Sequence, residues 1–115
     1  MVLTLVLFAV AALGGLVLAT IRLRGSNPPL ALALVHGAVA AAGLVALIVA
    51  VLHAGASASL PRIALALFVV AALGGFVLFS THLRKKNIPV PLMLIHAVVA
   101  VGGFVTLLIG SGVLG

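Results

Sequence analysis

The sequence predicts an all-α integral membrane protein: a four-transmembrane-helix bundle made of two tandem helical-hairpin repeats. Three observations predict it. Hydrophobic residues fill 66% of the 115 positions and charged residues only 5%, where soluble domains carry about 25% charged residues. Four apolar runs are each long enough to cross a hydrocarbon core of about 30 Å, which takes about 20 helical residues. Finally, a shift of 60 residues lays one half of the chain on the other without a gap.

The apolar runs are 2–21, 30–52, 63–81 and 92–114. Backbone groups in lipid must be satisfied within their own segment, so each run is expected to be a helix. Arg22, Arg24, Gly25, Ser26, Asn27, Pro28 and Pro29 punctuate the first connection, and Pro29 suits the first turn of the second helix. Residues 57–61 close the middle loop, and Arg84 to Pro91 separate the last two helices. The first run lacks the basic leader of a secretory signal, and its match to the third run assigns it to the fold.

That match is specific. Leu7, Phe8, Ala11, Ala12, Leu13, Gly14 and Gly15 fall on Leu67, Phe68, Ala71, Ala72, Leu73, Gly74 and Gly75. The same offset puts Arg24 on Arg84, Asn27 on Asn87, Pro29 on Pro89, His36 on His96 and Gly43 on Gly103. Alanine, leucine and valine coincide often by chance in so biased a chain; His, Arg, Asn and Pro do not. The chain is therefore read as one membrane domain, 1–115, with repeat one at 1–55 and repeat two at 61–115. Each repeat holds an even number of helices, so both insert the same way round, as parallel repeats about a pseudo-twofold axis along the membrane normal.

Charge sets the expected orientation. Arg22, Arg24, Arg84, Lys85 and Lys86 lie in the first and third loops, and Arg62 alone lies by the second. By the positive-inside rule, loops 22–29 and 82–91 face the cytoplasm and both termini lie outside, as expected in a bacterial inner membrane. The basic residues form no face or tail suited to nucleic acid. They suit anionic groups: lipid headgroups, a cofactor's carboxylates or acidic partner subunits.

Composition also excludes chemistry. With no Asp or Glu, paired-carboxylate hydrolysis is impossible and the embedded carboxylate usual in proton-coupled transport is missing. With no Cys, disulfides, thiolate metal sites and iron–sulfur clusters are excluded. His, the hydroxyls and the backbone remain.

Two histidines fall inside predicted spans. His36 lies seven residues past Pro29 and His96 seven past Pro89, which puts each about 10 Å from the cytoplasmic helix end. An ionisable group within a transmembrane helix marks a functional site by default. The steps i+4 and i+7 from His36 reach Ala40 and Gly43, and from His96 they reach Ala100 and Gly103, leaving a flat slot beside each imidazole. Gly14, Gly15, Gly74 and Gly75 fall at the same depth on the first and third helices. Small residues at one level in all four helices would admit a planar macrocycle. Neutral imidazole is a normal axial ligand of haem iron, and Arg24 and Arg84 are placed to neutralise propionates. For the second ring nitrogen, the carbonyls of Leu32 and Leu92, or Thr20 and Ser80, are candidate acceptors.

Other readings stand beside this one. Small residues let transmembrane helices approach closely whether or not they form a pocket. The two histidines could bond to each other, directly or through water, as polar glue. Each could instead hold the magnesium of a chlorophyll-type pigment. His53 and His82 end helices and read as interfacial residues, and Met93 reads as core filler.

Leu34, Val35, His36, Ala40 and Gly43, with Leu94, Ile95, His96, Ala100 and Gly103, carry a resemblance. The pattern resembles small four-helix membrane cytochromes b and haem-carrying membrane anchor subunits, in which histidines on separate helices clamp one haem. The resemblance implies one b-type haem bound by His36 and His96, an electron-transfer role and no independent enzyme activity. It also implies a redox partner, a larger membrane complex or a quinone in the lipid bilayer. The additional histidines, acids or quinone pocket common in that class are not found here. The alternative role is an accessory subunit of a larger membrane complex.

Overall fold

The computed structural model describes residues 1–55 and 58–114. Four helices run α1 Val2–Leu23, α2 Leu30–Ala54, α3 Ser59–Leu83 and α4 Val90–Gly110. All four are long and apolar enough to cross a membrane. The bundle measures 44 × 23 × 21 Å, and its long axis follows the helices.

The most extensive interfaces are α1 with α2 and α3 with α4, and the seams α2–α3 and α1–α4 close the ring. α1 therefore stands diagonally across from α3, and α2 across from α4. Large apolar side chains cover the outside: Leu13, Val35, Phe76, Ile95 and Val98 are all more than half exposed. An apolar surface of this extent suits a hydrocarbon surrounding.

The fully packed core lies in the half away from the basic loops. Leu5, Phe8, Leu47, Val51, Ala64, Phe68 and Leu107 form one cluster there. At its inner edge Phe8 and Phe68 stack with parallel planes, centroids 3.9 Å apart. Each ring lies over a glycine of its own hairpin: a Cβ on Gly43 would come 3.1 Å from Phe8, and one on Gly103 would come 3.2 Å from Phe68.

Helix ends depart from the sequence reading in instructive ways. α3 begins at Ser59 rather than 63, taking Pro61 into its first turn, where a missing N–H costs nothing. Of the expected middle loop 57–61, residue 57 lies outside the described residues. α4 ends at Gly110 rather than 114, and Gly112 takes a positive φ of 76°. Gly110 packs against Leu60 and Pro61 so closely that a Cβ there would sit 2.6 Å from Leu60 Cβ. Pro29 and Pro89 stand one position outside their helices as extended N-caps.

At the basic end the two hairpin loops are tied together. Arg22 Nε donates to the carbonyl of Ile88 at 2.7 Å. Asn27 Nδ2 donates to the carbonyl of Lys86 at 2.8 Å, while its Oδ1 accepts from Ile88 N–H at 3.1 Å. The mirror arrangement cannot form, because the position equivalent to Ile88 is Pro28, which has no N–H to donate.

Candidate functional site

The site begins with a bare carbonyl. In a helix, the side chain of a residue covers the turn N-terminal to its own Cα. The carbonyl of Ala11 is thus screened by residues 14 and 15, and that of Ala71 by residues 74 and 75. All four are glycine. Each glycine costs about 1 kcal/mol of helix propensity relative to alanine, and their shared effect is to leave two backbone oxygens open to a neighbouring helix.

Both histidines use that opening. His36 Nδ1 lies 2.8 Å from Ala11 O and His96 Nδ1 lies 2.7 Å from Ala71 O. A carbonyl only accepts, so in each ring Nδ1 carries the hydrogen and Nε2 is left as the acceptor. The ring edges run along the glycines: Cε1 of His36 would be 3.1 Å from a Cβ on Gly15, and Cε1 of His96 would be 3.2 Å from one on Gly75. Gly14 and Gly74 lie against Nδ1, each 3.6 Å away by the same measure. The acceptors are therefore carbonyls of the neighbouring helix, not those of Leu32 and Leu92 or the hydroxyls of Thr20 and Ser80. Thr20 and Ser80 instead bond back to Leu16 and Val77 carbonyls of their own helices.

His36 on α2 and His96 on α4 are diagonal partners. Their ring centroids are 6.4 Å apart and their planes cross at 83°. Among the described residues they do not hydrogen-bond to each other, and neither Nε2 has a partner. Neither Nε2 is sealed within packed protein either. Gly14, Gly15, Ala40, Gly74, Gly75 and Ala100 around them are half-buried, in contrast to the closed core beyond the Phe8–Phe68 stack. An apolar groove of about 280 Å³ opens beside His36, lined by Gly14, Val17, Leu32, Val35 and Val39 among others.

The remaining site candidates separate by level. Gly43 and Gly103 lie under the phenylalanine rings, so the space expected beside the imidazoles at that depth is filled by Phe8 and Phe68. Arg24 and Arg84 are exposed at the basic end, and Arg84 Nε donates to the carbonyl of Ser80 at 3.3 Å. His53 Nδ1 bonds within its own helix to Val49 O at 2.8 Å. Met93 is buried, as a filler would be.

The chemistry open to this arrangement follows from its donor count. Among the described residues no three metal-ligating side chains converge, so a zinc-type site, which takes three or four protein ligands, has no ligand set here. Two imidazoles suffice only where other atoms complete the coordination sphere, as the four nitrogens of a tetrapyrrole do. Two imidazoles bonded to opposite sides of one ion at about 2.0 Å would hold their centroids about 6.3 Å apart, which the observed 6.4 Å fits.

No family model matches the chain, and no curated protein or solved structure matches it either.

Proposed function

We propose that this chain is an integral membrane electron carrier that holds one b-type haem between His36 and His96. The observation that carries the proposal is the pairing of spacing with tautomer. The rings stand 6.4 Å apart, and each spends its Nδ1–H on a backbone carbonyl of the flanking helix. That bond is the usual partner of a ligating histidine, fixing the ring and raising the basicity of the other nitrogen. A purely structural role accounts for the Nδ1 bonds but leaves both Nε2 atoms idle. A spacing suited to one shared ion favours a single haem over two separately ligated pigments.

In this reading His36 and His96 bind, and the carbonyls of Ala11 and Ala71 hold the rings in the ligating tautomer. The apolar surroundings exclude water, and Arg24 and Arg84 offer positive charge at the membrane edge for propionates. The groove beside His36 is lined by α1 and α2 residues alone, so it is not the space between His36 and His96 that the haem would take. Bound there, a haem would supply a one-electron couple, and His36 and His96 would hold its iron. The repeated contacts at an offset of 60 residues support descent of the two hairpins from one duplicated unit. The basic loops support a cytoplasmic placement of that end, with the termini outside. Donor and acceptor would be a partner subunit of a larger complex or a quinone in the bilayer.

Substitution with pigment extraction tests this. His36→Ala and His96→Ala should each remove low-spin haem, and extraction of the native protein should yield protohaem. An unchanged spectrum in both variants would sink the assignment.

A further inference from the structure

We infer that Gly15 and Gly75, with the carbonyls of Ala11 and Ala71, are positioning groups that hold the His36 and His96 planes nearly perpendicular and thereby set the electronic symmetry of the bound iron. The inference rests on the haem reading above and goes beyond it. It begins with the 83° between the ring planes.

Two contacts fix each ring. The Nδ1 bond at 2.8 or 2.7 Å anchors one edge, and the missing side chain at Gly15 or Gly75 makes room for the adjacent Cε1. A methyl group at either glycine would stand 3.1 or 3.2 Å from that carbon, closer than side-chain carbons ordinarily approach. The imidazole would then have to turn about its bond to Cβ or back away from the carbonyl. The two rings make no hydrogen bond to each other among the described residues, so each plane is set within its own hairpin. Turning either ring alone changes the angle between them.

That angle matters to a metal held between the rings. An axial imidazole donates π density into the metal d orbital whose lobes lie across the ring plane. Two parallel rings act on the same orbital of the π pair, split it from its partner and give a rhombic low-spin ferric centre. Two perpendicular rings act on both orbitals alike, leave them nearly degenerate and give a strongly axial centre. Axial-ligand geometry is one of the levers by which a protein tunes haem. Here glycines on α1 and α3 set it, through rings carried by α2 and α4.

Low-temperature electron paramagnetic resonance of the oxidised, haem-loaded protein tests the inference. The wild type should show one dominant large g component. Gly15→Ala and Gly75→Ala should each move the signal toward three resolved components, while optical bands of low-spin haem persist. Gly102→Ala is the control: nothing lies within 4 Å of where its methyl would go, and the axial signal should remain. A rhombic wild-type signal beside a normal low-spin optical spectrum would overturn this inference alone. So would an axial signal unchanged in both Gly15→Ala and Gly75→Ala. Absence of low-spin haem in the wild type would overturn the haem reading and this inference with it. The wild-type spectrum decides even where a variant fails to accumulate.

Discussion

Phe8 and Phe68 lie ring on ring across the bundle diagonal, planes parallel and centroids 3.9 Å apart. The stack divides the protein. On one side Leu5, Leu47, Val51, Ala64 and Leu107 close the core; on the other, the imidazoles sit among half-buried small residues. Such close approach is possible because Gly43 and Gly103 leave the rings room to lie flat against α2 and α4.

Overpacking at those glycines should therefore be costly. Gly43→Ala or Gly103→Ala pushes a methyl to within 3.1 or 3.2 Å of a ring that is itself pinned by its partner. Each is expected to destabilise by about 1–3 kcal/mol, read as a lowered midpoint of thermal unfolding in detergent. Gly37 and Gly102 have open space where a Cβ would go. Gly37→Ala and Gly102→Ala should be neutral or stabilising by up to about 1 kcal/mol.

Asn27 and Asn87 occupy equivalent positions and should behave differently. Asn27 ties the two basic loops through Lys86 O and Ile88 N–H, and Pro28 denies Asn87 the matching donor. Asn27→Ala should cost about 1 kcal/mol per lost bond, while Asn87→Ala should leave the unfolding midpoint unchanged. Equal losses from the two would contradict a one-sided tie.

A third contrast lies in the turns that end α1 and α3. Gly25 takes a φ of 97° after α1, and Lys85 takes a φ of 57° after α3. A non-glycine residue in the left-handed region costs roughly 1–2 kcal/mol. Lys85→Gly should raise stability by about 1 kcal/mol, and Gly25→Ala should lower it by a similar amount. Paired unfolding curves would show the opposite signs.

Much of the fold was legible because four unbroken apolar runs of about 20 residues each read most simply as helices. Apolar runs of sufficient length gave the four elements, and errors fell at ends where a tertiary contact decides. Pro61 enters the first turn of α3, and Gly110 stops α4 where Leu60 and Pro61 press against it. The histidines and the glycine pairs were visible as a constellation at one depth. Their connection was not, because backbone oxygens carry no letter in a sequence. The available signal was Ala followed at the third and fourth positions by two glycines, which uncovers a carbonyl. Gly43 and Gly103 show the converse: small residues two turns beyond the histidines serve the phenylalanine stack, which spacing alone could not distinguish from a slot beside the imidazoles.

If Nε2 of each histidine is a ligand rather than an idle acceptor, the two residues are not interchangeable with other polar groups. His36→Gln or His96→Gln can preserve a side-chain donor to Ala11 or Ala71, and so keep the bundle stable. Each should still lose low-spin haem entirely. A Gln variant that keeps both its unfolding midpoint and its haem bands would show that the histidines serve packing alone.

Haem ligation by His36 and His96 is decided by an absorption spectrum of the purified protein, oxidised and then reduced with dithionite, with the pigment quantified per chain. The reduced protein should show sharp α and β bands of low-spin haem, with one protohaem per chain. A colourless protein from cells supplied with haem precursor would contradict it and return His36 and His96 to a structural role.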